Sequence, residues 1–186
     1  MNKILDIHYL DKVLNGDKDS FRYFIKEYQE MGYSIAISIL KNKQDSEDAV
    51  QNGFIQAFKS LRSFKREAKF SSWLYRIIVN ESLKQVSKNK KETNRQSNII
   101  IDPESSNTEN IAVSNLSKKE RRTMINGVLI RMKPKESLAL KLHYLHELTI
   151  KEIQETTGFS INNIKILLYR GRRSFKQITE SLNNEF

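Results

Sequence analysis

Apolar residues return at helical spacing along nearly the whole chain. In DSEDAVQNGFIQAFKSL, the residues Val50, Phe54, Ala57, Phe58 and Leu61 fall at i, i+4, i+7, i+8 and i+11, one stripe of an amphipathic helix. Asp45 stands at its start as a candidate N-cap. A preceding helix is expected from about Asp19 to Leu40. Further on, about 100° per residue gathers Trp73, Arg76, Asn80 and Lys84 into one arc and Leu74, Ile77 and Ile78 into another. Ser71 or Ser72 would cap that helix, beginning at Trp73. Only two prolines, Pro103 and Pro134, and six glycines interrupt 186 residues, so the pattern predicts an all-α fold.

The periodicity lapses once. From Lys88 to Ser114 the chain is rich in Asn, Ser, Lys and Glu, poor in aromatics, and broken at Pro103. The expected architecture is therefore two small helical domains, residues 1–90 and 116–186, joined by a flexible linker over residues 91–115. The run Ile99-Ile100-Ile101 inside that linker reads either as an extended segment that docks on a partner or as a local hydrophobic tether.

The second domain contains the shape of a helix-turn-helix. Thr149 and Glu152 form a Thr-x-x-Glu capping box, and Gly158 can adopt the left-handed conformation that ends the first helix. Ser160 can cap the second helix, and Ile153 and Ile164 stand where the two helices must bury apolar side chains against each other. Gln154 occupies a place where such motifs usually have a small residue. The second helix of such a motif enters the major groove with its N-terminal residues at base edges, here Asn162, Asn163 and Lys165. Tyr169, Arg170, Arg172 and Arg173 lie further along, where phosphate contacts are expected. A plain antiparallel helix pair with a basic face is the simpler alternative.

Charge sharpens this picture. The chain carries 32 Lys and Arg against 22 Asp and Glu, a formal net charge of +10. The excess is segregated: residues 59–95 hold eleven basic side chains against Glu67, Glu81 and Glu92, and residues 161–176 hold five with no acid. Two separate basic stretches point to two contact zones on one polyanion. The first stretch mixes its charge with aromatics, the combination that binds single strands by stacking and electrostatics. There the loop from Phe64 to Phe70, with Lys65, Arg66 and Lys69, can cradle an unstacked base, while Trp73, Arg76, Asn80 and Lys84 continue the surface along the helix. Phe64, Phe70 and Trp73 are equally readable as core.

Enzyme chemistry finds little support. Zero cysteines exclude a disulfide framework, a thiolate metal site and a cysteine nucleophile. Of three histidines, His143 and His146 share a helical face without a carboxylate partner at ligand spacing. No phosphate-binding Gly-rich loop is present, so neither catalysis nor a cofactor, metal or small-molecule substrate is expected. The N-terminal stretch carries Asp6 and His8 and lacks a long apolar run, and no segment approaches the roughly 20 apolar residues of a membrane span. A soluble cytoplasmic protein, not inserted in membranes, is expected.

Three stretches, Asp45-Ser-Glu-Asp-Ala-Val-Gln-Asn-Gly-Phe54, Phe70-Ser-Ser-Trp-Leu-Tyr-Arg-Ile-Ile-Val-Asn80 and Ile164-Lys-Ile-Leu-Leu-Tyr-Arg-Gly-Arg172, stand in this order and spacing. Together they resemble the extracytoplasmic-function group of bacterial RNA polymerase sigma factors, over nearly the whole chain. The resemblance implies that the first domain binds core polymerase through Asp45, Asp48, Gln51, Asn52, Phe54 and Ile55. It implies that Phe64, Lys65, Lys69, Phe70, Ser72, Trp73, Arg76, Asn80 and Lys84 capture and help melt the minus-ten element. The second domain would read the minus-thirty-five element, the linker would thread along the polymerase, and an anti-sigma factor is an expected partner beside core polymerase and promoter DNA. Two departures stand out: Asn52-Gly53 replaces an acidic residue followed by an apolar one, and Ile166-Leu167 replaces the usual Ser-Arg. The alternative from another class is a stand-alone helix-turn-helix regulator that binds duplex DNA as a dimer without polymerase.

Overall fold

The computed structural model describes residues 3–95 and 118–184, and among them every regular element is helical. The first unit comprises α1 (Lys3–Leu14), a 3-10 turn (Lys18–Phe21), α2 (Arg22–Leu40), α3 (Lys43–Ser60), a second 3-10 turn (Leu61–Ser63) and α4 (Phe70–Arg95). The second comprises α5 (Lys118–Arg131), α6 (Pro134–Leu140) running into a wide π turn (Lys141–Leu145), α7 (Ile150–Thr157) and α8 (Ile161–Asn184). Of the expected linker, residues 91–95 continue α4, and residues 96–115, with Ile99-Ile100-Ile101, lie outside the described residues. Among the described residues no helix is long and apolar enough to cross a membrane.

The helix starts differ from two expectations. The N-cap of α3 is Asn42, whose extended backbone (φ −126°, ψ 131°) lets its Oδ1 accept from the Asp45 N–H at 3.0 Å. Asp45 is thus inside the first turn, and its carboxylate accepts instead from Gln85 Nε2 at 3.1 Å and Asn89 Nδ2 at 2.8 Å, tying α3 to α4. Helix α4 starts at Phe70, not Trp73, and the Lys69 carbonyl takes the Trp73 N–H at 3.2 Å. Ser71 and Ser72 are buried within that first turn and do not precede it.

The first unit is built around α4. Its inner face, Leu74, Tyr75, Ile78 and Val79, is buried against Phe24, Tyr28 and Ile35 of α2 and Val50, Phe54 and Ala57 of α3. Helix α1 is pinned to this core by a buried carboxylate: Tyr28 and Tyr23 donate to Asp6 at 2.6 and 3.1 Å. Burial and the Asp6 carboxylate hold both phenols protonated well above the usual tyrosine range.

The glycine of the Asn52-Gly53 departure has a packing reason. A methyl on Gly53 would meet Ile78 Cγ1 at 2.9 Å and Ile78 Cα at 3.5 Å, so α3 and α4 touch almost backbone to side-chain root. Gly32 on α2 approaches the same residue, but there the nearest atom is the tip, Ile78 Cδ1, at 2.8 Å.

The second unit closes against the first, with α2 packing on α5 and α6, and α4 packing on α7. Its own core is formed by Val128, Leu129, Leu138, Leu142, Leu148, Ile153, Ile164 and Leu168.

These contacts predict unequal effects for two substitutions with the same helix-propensity gain of about 1 kcal/mol. Gly53→Ala should destabilise the chain by roughly 1 kcal/mol net, because overpacking at a side-chain root outweighs propensity. Gly32→Ala should be neutral or stabilising, since the Ile78 tip can turn aside. Urea denaturation of both variants tests this, and Ile78→Ala, which removes the γ carbon that meets Gly53, should combine with Gly53→Ala for less than the sum of the two single losses.

Candidate nucleic-acid interface

The first candidate surface starts at the turn that leaves α3. Arg66 takes a left-handed backbone (φ 61°), which folds the loop so that Lys65, Arg66 and Lys69 all project to the exterior. Three aromatic rings stand behind them. Phe64 lies 5.6 Å from Phe70 and 5.2 Å from Trp73, centroid to centroid, and Phe70 lies 5.5 Å from Trp73. They are not equivalent. Phe70 is 5% exposed and packs 4.2 Å from Phe24, so its ring belongs to the core, whereas Phe64 and Trp73 are half-buried and remain partly open to solvent. Ser72 is buried, and among the described residues its hydroxyl finds no partner.

Along α4 the surface continues as anticipated. Arg76, Asn80 and Lys84 are exposed one turn after another, and Asn80 and Lys84 line a shallow groove with Gln56, Ile77 and Lys88. Glu81 pairs with Lys84 at 2.6 Å. The loop cations are also engaged: Arg66 pairs with Asp11 of α1, and Lys69 lies 3.7 Å from Glu152 of α7.

The second surface is the helix-turn-helix. Thr149 Oγ1 accepts from the Glu152 N–H at 3.2 Å, and Glu152 accepts from the Thr149 N–H at 2.8 Å, completing the capping box. Partial burial pushes the Glu152 carboxyl up. The Thr149 N–H and hydroxyl and the Lys69 ammonium outweigh that and hold it below its ordinary value. Gly158 ends α7 in the left-handed region (φ 72°), and Ser160 Oγ accepts from the Asn163 N–H at 3.3 Å to start α8. Ile153 and Ile164 are fully buried between the helices.

The outer face of α8 then carries Asn162, Lys165, Arg170 and Arg173 in the open, Asn163 partly covered, and Tyr169 63% exposed. Arg172 donates to the Tyr144 hydroxyl at 3.3 Å. In the Ile166-Leu167 departure, Ile166 faces outward and Leu167 is core.

Of the residues expected to contact polymerase, Asp48, Gln51, Asn52 and Ile55 are exposed on one stretch of α3. Phe54 is nearly buried beneath them, and Asp45 is occupied by Gln85 and Asn89. Beside them an apolar groove is lined by Phe21, Ile25, Val50, Phe54, Ile55 and Phe58. Sequence reasoning did not single out the inter-unit contacts made by Lys41, Lys141 and His146. The one available signal was Lys141, which interrupts an apolar stripe with Leu138, Leu142 and Leu145.

Residues 24–92 match the family Sigma-70 region 2, and residues 113–175 match Sigma-70, region 4. The ECF RNA polymerase sigma factor SigW of Bacillus subtilis (strain 168) is 26% identical over 180 residues, covering 90% of this chain and 93% of that protein. SigM of the same organism is 28% identical over 159 residues, covering 85% and 94%. Among solved structures, the sigma factor RpoE in complex with the anti-sigma factor NepR, from Bartonella quintana, shares the fold with a TM-score of 0.69. The two are 20% identical, over 86% of this chain and 96% of that one. CnrH in complex with the cytosolic domain of CnrY superposes with a TM-score of 0.60 at 16% identity, over 96% and 97%.

The capping box gives a direct test. Thr149→Ala should cost the second unit about 1 kcal/mol. The Glu152 carboxyl is depressed in the folded state, so its contribution is present at neutral pH and is lost as pH falls through the folded value. The variant should flatten that part of the acid stability profile, as read by thermal melts from pH 7 to 3.

Proposed function

The chain belongs to the sigma-70 family, in the extracytoplasmic-function group of RNA polymerase sigma factors, and from that premise we propose how its two helical units share promoter-directed initiation. It directs core RNA polymerase to specific promoters. The chemistry of RNA synthesis is the polymerase's, and this chain acts as a non-catalytic initiation factor in the cytoplasm. The exposed stretch of α3, with Asp48, Gln51, Asn52 and Ile55, docks on core, the nearby Phe54 and Asp45 holding its shape. An anti-sigma factor, as in the complex of RpoE with NepR, is the partner expected to hold the chain in reserve.

The single observation that carries the division is that one chain presents two exposed basic surfaces, one set with half-buried aromatic rings and one along the second helix of a helix-turn-helix. Phe64 and Trp73 remain partly open to solvent beside Lys65, Lys69 and Arg76, a platform suited to unpaired bases and their phosphates. Stacking contributes about 1–3 kcal/mol per base, enough to offset the few kcal/mol lost in unstacking it. Phe70 and Ser72 act from within, fixing the ring geometry, while Asn80 and Lys84 track the strand along α4. This is the minus-ten surface.

Helix α8 supplies the duplex-reading surface, with Asn162, Asn163 and Lys165 at base edges and Tyr169, Arg170, Arg172 and Arg173 toward phosphates of the minus-thirty-five element. Residues 96–117 join the two. Each unit binds DNA weakly by itself, and core polymerase raises the effective concentration of one once the other is seated.

Run-off transcription with purified core polymerase on promoter-containing fragments tests the reading. Transcripts that require this chain are expected. Trp73→Ala should lose them while keeping duplex binding, whereas Arg170→Ala should weaken duplex binding and lower its salt slope by about one. A duplex footprint without polymerase, together with no transcript in its presence, would favour a stand-alone regulator instead.

A further inference from the structure

Helix α8 sorts its apolar residues into two groups. Ile164, Leu167 and Leu168 are buried in the second unit, whereas Ile166 is 48% exposed and Tyr169 63%. The inward places beside Ile166 are thus already filled, and packing gives no reason for an isoleucine there. Its position is central, not marginal. At about 100° per residue, Asn162, Asn163, Tyr169 and Arg170 all fall within about 60° of the direction of Ile166, and Arg173 lies almost in line two turns on. Of these only Asn163 is partly covered, and the rest are exposed. The exposed face therefore has a rim of amide, phenol and guanidinium around a middle of hydrocarbon. That middle is held rigidly. Gly158 and the Ser160 cap on the Asn163 N–H fix the start of α8, so Ile166 is presented from its second turn and not from a frayed end.

The polar residues of the rim can be satisfied by water, by phosphates or by base edges. Ile166 gains only from another apolar surface. Among the four bases the major groove offers one such surface, the C5-methyl of thymine. A helix seated with Asn162 and Lys165 at base edges brings the next turn of the same face, where Ile166 stands, against the groove floor. Other base pairs are disfavoured at that place for a separate reason. A G·C pair would set the cytosine amino group and the guanine acceptors under hydrocarbon, where they lose their hydrogen bonds to water without replacement.

We propose that Ile166 is a specificity-determining residue of this chain, selecting a thymine in the upstream duplex by packing on its C5-methyl, a role that rests on the reading of α8 given above. The two residues of the Ile166-Leu167 departure then part company. Leu167 completes the core, and Ile166 puts methyl contact where a polar side chain would make a hydrogen bond. Tyr169 and Arg170, one turn along, bind phosphates whatever the base, so they set affinity while Ile166 sets preference.

The test takes the full chain with core polymerase on a promoter fragment and replaces each thymine of the protected upstream duplex, one at a time, with deoxyuridine. That base keeps every hydrogen-bonding group of thymine and lacks only the methyl. At one position deoxyuridine should weaken binding about fourfold, the worth of one buried methyl. A G·C pair at the same position should weaken it on the order of tenfold or more. Ile166→Ala should weaken binding of the thymine duplex by at least about fourfold and bring the thymine and deoxyuridine duplexes level. Because Ile166 is exposed, helical circular dichroism of that variant should be unchanged. Arg170→Ala should weaken both duplexes equally and keep their ratio. A protected duplex in which no thymine senses the loss of its methyl, or a methyl dependence that survives Ile166→Ala, would overturn the proposal and leave the reading of α8 standing. No upstream protection at all would sink that reading, and the proposal with it.

Discussion

Ile78 can fill the place where α2, α3 and α4 meet because Gly53 puts no side chain against its root, while Gly32 on the other side meets only its tip. That close approach orients α4, and α4 orients most of what the chain does. With Ile78, Leu74 and Tyr75 turned inward, the same helix must turn Arg76, Asn80 and Lys84 outward. Its first turn then sets Phe70 into the core, leaving Phe64 and Trp73 half-buried beside the basic loop. Tyr75, on the same inner side, also reaches His146 of the second unit. One helix thus couples the core, the face proposed to bind a strand and the seam between the units.

The two surfaces proposed to bind DNA are stabilised by different physics, in keeping with the different targets proposed for them. The α4 surface sets aromatic rings and cations around a loop whose shape needs a left-handed Arg66, a local geometry suited to bases that have left the stack. The α8 surface relies on rigidity: a capped turn, Ile153 against Ile164, and a long helix that presents amides and guanidiniums at fixed positions. Neither surface needs a large hydrophobic core. A chain with only 38% hydrophobic residues can support both if its two small cores are braced by buried polar anchors such as Asp6 with Tyr23 and Tyr28.

Much of this was legible in the sequence where local chemistry decides structure. The capping box, Gly158, Ser160 and the Ile153–Ile164 pair follow from short-range rules, and all take the expected places. The inner and outer arcs of α4 follow from helical period alone. Helix starts were less legible, because neighbouring polar residues compete for the same cap. Asn42 takes the role expected of Asp45, whose carboxylate is held by residues forty and more positions away, Gln85 and Asn89. Gly53 reads as a weak point of α3 until Ile78 is seen against it. Lys41 was illegible for the same reason: a half-buried Lys41 differs from a solvated one only in partners that lie about ninety residues further along, the carbonyls of Leu129 and Ile130.

The central claim is that this chain, bound to core polymerase, holds one DNA strand open. Permanganate oxidation of unpaired thymines on a promoter fragment reads that event directly. The account predicts reactive thymines at the minus-ten element only when core polymerase and this chain are both present. Thymines that stay protected, while α8 leaves a footprint upstream, would contradict it.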